Sequence, residues 1–202
     1  MRQNYMRELF TPVVKELQSL AGSRASYDRA AARNDEEDGL GPQERGFLEA
    51  ADHFYLASVG ESGWPYVQHR GGPPGFVHVL GPRRIGYAEF RGNQQFISAG
   101  NVAADPRASI LVMDYAQQVR LKLIGRLRLV AMKDAEPDLR DQLVHADYPG
   151  RVERLALFDV EGFDWNCPQH IVPRYTVKEI EAATAPLRQR IRELEARLAP
   201  AG

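Results

Sequence analysis

A single cysteine, Cys167, stands among 202 residues, so no intrachain disulfide can form. Charge of neither sign is in excess: 26 Lys and Arg against 27 Asp and Glu leave a net charge of −1. That balance excludes a global basic field able to recruit nucleic acid or an anionic membrane. No run approaches the ~20 apolar residues that span a bilayer. The opening MRQNYMRELF lacks the apolar core and cleavage site of a secretory signal, and the expectation is a soluble, cytoplasmic protein. There is no GxGxxG after a strand, no Walker loop and no GxSxG elbow, so the dinucleotide fold, the P-loop hydrolase and the serine hydrolase lack their signatures.

What is present begins with helix signals. Thr11 and Pro12 suit a helix start within residues 5–21, with Val13, Val14, Leu17 and Leu20 on one face and Gly22 as the stop. Residues 23–41 are polar and read as an exposed connection, after which Gly41-Pro42 opens a short helix carrying Phe47 and Leu48. From Phe54 the texture changes to β-rich runs split by turn residues: FYLASV, PYVQHR, FVHVL and RIGYAEF. Such spacing predicts an antiparallel sheet closing into a barrel or sandwich. QQFISAGNVAADP predicts a helix ended by Asp105-Pro106. The strands ASILVMDY and VRLKLIGRLRLV follow, the second with Arg120, Lys122, Arg126 and Arg128 on one face. ERLALFDVEGFDW is the last strand. In the tail, Ile180, Leu187 and Leu194 lie seven apart, with Ile191 and Leu198 on alternate positions and Thr184 as the weak member. Pro186 is expected to break this heptad pattern, and packing on the barrel or on a partner subunit is expected over a free coiled coil.

The motif DWNCPQH, Asp164 to His170, carries Cys167 and His170 at C-x-x-H spacing. No second Cys or His pair lies near enough to complete four zinc ligands, so no metal is expected. A thiolate nucleophile would need a third, orienting residue that cannot be named, and a tight turn held by Pro168 is the plainer reading. Two other stretches have the polar groups that a phosphorylated, flat ligand requires. In PYVQHRGGPPG, Gln68, His69 and Arg70 end a strand before Gly71 and Gly72 free the backbone. In EFRGNQQ, Arg91 precedes an Asn-Gln-Gln trio expected to start a helix, whose N–H groups favour an anion. On composition and spacing alone, both stretches read first as hairpin turns with solvated arginines. Too few aromatics flank the basic strand for it to stack single-stranded nucleic acid.

Taken together, WPYVQHRGGPPG, RGNQQ, NVAADPRASILVMDY, RLKLIGR and DWNCPQHI resemble the pyridoxamine 5'-phosphate oxidase-like family of FMN-binding split-barrel flavoproteins. The likeness runs over roughly residues 47–175. It implies a mainly β fold, a six-stranded antiparallel split β-barrel with N-terminal helices and a C-terminal helix. The expected division is a helical arm over residues 1–45, the FMN-binding barrel over 46–175 and a terminal helix over 176–202. The resemblance also implies a homodimer with FMN in clefts between the subunits. It implies flavin contacts at Gln68, His69, Arg70, Gly71, Tyr87, Ala88, Glu89, Arg91, Asn93, Gln94, Gln95, Arg120 and Lys122. Trp165 and Asn166 are implied to reach over the ring from the second subunit, with Cys167 and His170 holding that turn.

The activity implied is hydride transfer through flavin on a small substrate, with His69 as a candidate proton donor. A non-catalytic flavin carrier or redox sensor, or an enzyme using FAD or a deazaflavin, stands as the alternative. The Arg-x-His pair that holds pyridoxine phosphate in the oxidase itself is missing: no histidine here has an arginine two residues before it. The substrate therefore does not carry over.

Overall fold

The computed structural model describes residues 5–34, 39–165 and 168–198. Two short helices, α1 (Tyr5–Leu9) and α2 (Pro12–Leu20), open the chain. Thr11 caps α2 by accepting from the Val14 N–H, so the helix expected over residues 5–21 is broken at Phe10-Thr11. The polar segment after it is not a plain connection, because it contains α3 (Arg24–Asn34). Its RASYDRAAARN sequence is rich in alanine and arginine, which favour helix without an apolar face. As Gly41-Pro42 predicted, α4 (Pro42–Ala50) begins there, with the Glu44 carboxylate accepting from the Gly41 N–H at 2.9 Å.

Seven strands follow: β1 (His53–Val59), β2 (Pro65–Gly71), β3 (Val77–Gly81), β4 (Arg84–Phe90), β5 (Arg107–Asp114), β6 (Val119–Ala131) and β7 (Val152–Trp165). Helix α5 (Ile97–Ala104) sits between β4 and β5, and α6 (Pro137–Leu143) between β6 and β7. All neighbours pair antiparallel, in the order β2-β1-β5-β6-β7-β4-β3. The architecture is a mainly β, split-barrel-like fold. It has seven strands rather than the expected six, and its end strands, β2 and β3, are not hydrogen-bonded to each other.

The alternation of side chains along a strand explains how the sheet curls. Phe54 and Leu56 of β1, Ile110 and Val112 of β5, and Leu121 and Leu123 of β6 point inward and are buried. They meet Ile85 and Tyr87 of β4. Phe54 lies 5.0 Å from Tyr87 edge-on and 5.7 Å from Phe76 in a stacked pair. Strand β4 is covered on both faces, since Ala88 packs with Leu143, Leu155 and Leu157 in a second cluster beneath α6. Where β6 meets β7 the register shifts at Ile124-Gly125, and a Cβ on Gly125 would lie 2.1 Å from the Asp159 carbonyl oxygen. Only glycine lets the two backbones approach so closely.

Helix α7 (Val177–Leu198), the last described element, runs unbroken through Pro186. It starts in a capping box: the Thr176 N–H donates to Glu179 Oε2 at 2.7 Å, and the Glu179 N–H donates to Thr176 Oγ1 at 3.2 Å. Among the described residues, no helix is long and apolar enough to cross a membrane.

Candidate functional site

A cavity of about 330 Å³ opens between β2, β4 and the loop leading into α5. Its floor is made by period-two alternation on β2, where Tyr66, Gln68 and Arg70 share one face. The Tyr66 hydroxyl donates to Gln68 Oε1 at 2.7 Å. Arg70 Nη2 donates to Glu89 Oε1 at 2.9 Å, and Arg154, from the start of β7, donates to Glu89 Oε2 at 2.7 Å. Glu89 is buried, so the two guanidinium groups compensate a carboxylate that would otherwise be costly to desolvate.

The rim is the loop between β4 and α5. Gln94 and Phe96 both adopt left-handed backbone conformations, with φ of 60° and 54°, uncommon for residues with a side chain. The Asn93 side-chain oxygen accepts from the Gln95 N–H at 3.2 Å. With its amide oxygen turned to Arg91, Gln94 accepts from Arg91 Nε at 3.3 Å and Nη2 at 3.0 Å. The Asn-Gln-Gln trio therefore does not start the helix. A left-handed residue cannot sit inside a right-handed helix, and α5 begins only at Ile97. Ser98 and Ala99, in its first turn, line the cavity. Buried Asn101 anchors α5 to β1 by donating to Ser58 Oγ at 3.0 Å.

Arg70 Nε and the Tyr87 hydroxyl are buried without a well-formed hydrogen bond, and the Arg70 guanidinium lies within hydrogen-bonding reach of the phenol. Burial pushes the Tyr87 phenol well above its ordinary value, while the neighbouring Arg70 guanidinium opposes that shift. Arg154 also lies over the Phe96 ring, 5.3 Å from its centroid.

Of the residues singled out from sequence, Gln68, His69, Arg70, Gly71, Tyr87, Ala88, Glu89, Asn93, Gln94 and Gln95 border this cavity. The imidazole of His69 turns away, as alternation with Gln68 and Arg70 requires. It stacks on His53 with centroids 5.7 Å apart and meets Tyr55 edge-on at 5.8 Å. Arg91 stands at the rim, 3.6 Å from Glu153. Arg120, Lys122 and Trp165 lie elsewhere in the same chain. Lys122 pairs with Asp164 at 2.8 Å and stands over the Tyr5 ring at 4.8 Å. Trp165 packs edge-on against Phe47 at 4.9 Å and donates to Glu44 Oε1 at 2.7 Å. Asn166 and Cys167 fall outside the described residues. His170, beyond them, has a φ of 64°.

Sequence reasoning missed Tyr66, Phe96, Ser98, Glu153 and Arg154. Tyr66 shares the parity of Gln68 and Arg70 and was open to the same alternation argument. Arg154 comes from a strand 65 residues beyond Glu89, and no local signal marks it.

A second cavity, of about 300 Å³, lies where the ends of α4 and β5 meet residues 174–179 and is bordered by Phe47, His53, Tyr115 and Arg174. The Arg174 guanidinium sits 4.9 Å from the Tyr115 centroid.

A curled antiparallel sheet with a polar cleft between β2, β4 and the α5 loop defines a split-barrel protein. The family model described as pyridoxamine 5'-phosphate oxidase matches residues 40–162, and the chain belongs to that family. Several solved structures are similar. A putative pyridoxamine 5'-phosphate oxidase from Lactobacillus delbrueckii subsp. is 15% identical, over 64% of this chain and 96% of its own, with a TM-score of 0.48. An FMN-binding protein from Syntrophomonas wolfei subsp. wolfei is 12% identical over 74% and 97%, with a TM-score of 0.45. An F420 reductase is 17% identical over 59% and 94%, with a TM-score of 0.42. No curated protein matches.

Proposed function

We propose that the cavity between β2, β4 and α5 holds FMN, and that the protein is an FMN-dependent oxidoreductase working as a homodimer. The observation that carries this reading is a cavity of about 330 Å³ lined by Arg70, Arg154 and the left-handed turn at Gln94 and Phe96, in which Arg70 Nε is buried without a well-formed hydrogen bond beside the Tyr87 phenol. An unmade hydrogen bond at a buried group is costly, and a polar ligand removes that cost. The volume lies in the range of small-molecule sites. Arg70, Arg91 and Arg154 against Glu89 and Glu153 give the cleft a cationic balance suited to a phosphate. When bound, FMN supplies hydride transfer.

The chain's own residues divide the remaining work. Arg70 and the first-turn N–H groups of Ser98 and Ala99 receive the phosphate, with Arg91 and Gln94 at the rim. Gln68 and Tyr66 offer an amide and a hydroxyl to the edge of a flat ring. Glu89 fixes the aim of Arg70 and Arg154. Arg120, Lys122, Trp165 and Asn166 are assigned to the cleft of a second copy, because the first three lie outside the cavity of their own chain. The His69 imidazole faces away from this cavity and is assigned no proton-transfer role in it.

The test is a visible absorbance spectrum of the purified protein with and without added FMN, followed by identification of released cofactor. Stoichiometric FMN with NAD(P)H oxidation supports the reading. Bound FMN without turnover on any reductant leaves a flavin carrier, and refusal of FMN with uptake of FAD or a deazaflavin replaces the cofactor.

A further inference from the structure

Helix α7 carries no buried residue along its 22 positions. Val177, Ile180, Leu187, Ile191, Leu194 and Leu198 are between 42% and 82% exposed. A helix of this length gains most of its stability from covering an apolar face, and nothing in the described part of the chain covers this one. The apolar positions are not scattered. Val177, Thr184, Ile191 and Leu198 fall seven apart, as do Ile180, Leu187 and Leu194, so they occupy the a and d positions of three heptads. Pro186 then takes the outward c position, where its ring meets solvent. Thr184, the polar a residue, donates its hydroxyl to the Ile180 carbonyl at 2.8 Å, so it brings no unpaired donor to a seam.

We propose that α7 pairs in parallel and in register with α7 of a second copy of this chain. The charges beside the seam and the number of apolar layers it covers together choose the partner and the direction. In a parallel pair, a g residue meets the e residue of the next heptad on the other helix. That sets Arg190 against Glu195 twice, by symmetry, and faces Ala183 with Arg188. In the antiparallel register that seats Ile191 on Leu187, Arg188 meets Arg188, Arg190 meets Arg190 and Glu181 meets Glu195. Every charged pair in that register is then of like sign; the antiparallel register that seats Leu187 on Thr184 brings Glu181 to Arg188 but leaves Leu198 uncovered, whereas the parallel pair covers all seven a and d positions. Within its own helix Arg190 donates to Glu193 at 3.1 Å, and the forked guanidinium has further N–H groups for Glu195 of the other strand. The inference stands on α7 alone and does not depend on the flavin reading.

Cysteine cross-linking of the full chain tests it. In a parallel pair, Leu198→Cys under mild oxidation links to the same position of a second copy, as peptide mapping will show. An antiparallel pair would hold the two positions about 27 Å apart, far beyond the ~7 Å limit between the Cα atoms of a disulfide. Ala182→Cys, at an outward f position, is expected not to link.

Adding Arg190→Glu or Glu195→Arg singly to Leu198→Cys is expected to slow linkage about fivefold, and the two together to restore it. Absence of a 198-to-198 disulfide overturns the proposal, as does equal linkage through Ala182→Cys. A rate indifferent to both charge changes overturns the register. Because the readout comes from α7 itself, it stands apart from any contact between barrels.

Discussion

Arg70 donates to Glu89 at 2.9 Å although β1, β5, β6 and β7 separate their strands in the sheet. Hydrogen-bonded strands lie about 4.8 Å apart, so a flat sheet would hold these two residues far out of reach. The ion pair therefore reports that the sheet curls until β2 faces β4, and the cavity lies where they face each other.

Arg70→Ala removes one of the two partners of buried Glu89. Arg154 still compensates the carboxylate, so the expected stability loss is about 2 kcal/mol, below the ~3–5 kcal/mol of a buried ion left alone. FMN affinity is expected to fall at least tenfold, which flavin fluorescence titration will read. Arg70→Lys keeps the charge without the fork and is expected to fall between the wild type and the alanine variant.

Trp165→Ala deletes the edge-on contact with Phe47 and leaves Glu44 Oε1 without its indole donor. The expected cost is about 3 kcal/mol in urea denaturation. Trp165→Phe keeps the ring and loses only the hydrogen bond, at about 1 kcal/mol. If Trp165 also covers the flavin of a second copy, the alanine variant weakens FMN binding beyond the phenylalanine one. Equal affinities would remove it from the cleft.

His78 and His145 face each other with their Nε2 atoms 3.3 Å apart. Partial burial holds His78 below its ordinary pKa, and His145 adds to the effect while Glu49 opposes it. The unfolded chain therefore takes up this proton more readily than the folded one. The associated stability is complete above the unfolded pKa near 6.5 and is lost as pH falls through the folded pKa. Melting temperature is expected to drop on going from pH 7.5 to 5.5, and His78→Gln to flatten that profile. An identical profile in the variant would remove the pair as its cause.

Gly125→Ala would place a methyl group 2.1 Å from the Asp159 carbonyl oxygen and 2.9 Å from the Phe158 ring. Neither is the free end of a flexible side chain, so β6 and β7 must move apart. The expected loss is about 3 kcal/mol, measurable by thermal denaturation, whereas Gly46→Ala on α4, with open space around it, is expected to be neutral or slightly stabilising.

The sheet was legible in the sequence because each strand announces itself twice, by its apolar or alternating run and by the turn residues that bound it. All seven runs marked there became strands, and it was the family likeness that suggested six. Elsewhere the signals were of the wrong kind. Helix α3 has no apolar stripe and showed only in its alanine-rich composition. The left-handed turns at Gln94 and Phe96 carry no glycine to betray them. Pro186 reads as a breaker until its outward place in the heptad is seen.

At the candidate site, the β2 residues were visible as a motif in one short stretch, and those of β4 came only through the family likeness. That His69 could not share a face with Gln68 and Arg70 follows from strand period alone. The pairing of Arg154 with Glu89 depends on how the barrel curls, which no local pattern encodes.

Strand β7, residues Val152 to Trp165, is hydrogen-bonded to β4 on one side and to β6 on the other. It is the last strand of this sheet to be synthesised and the one that joins β2-β1-β5-β6 to β4-β3. A growing chain therefore emerges as two separate half-sheets, each with a raw edge where β7 will lie. Completion waits on contacts between residues far apart in sequence, which makes folding slow and exposes those edges to neighbouring chains on the ribosome. A chain stopped before Val152 would keep both edges open permanently and would be a substrate for chaperones rather than a smaller version of the protein.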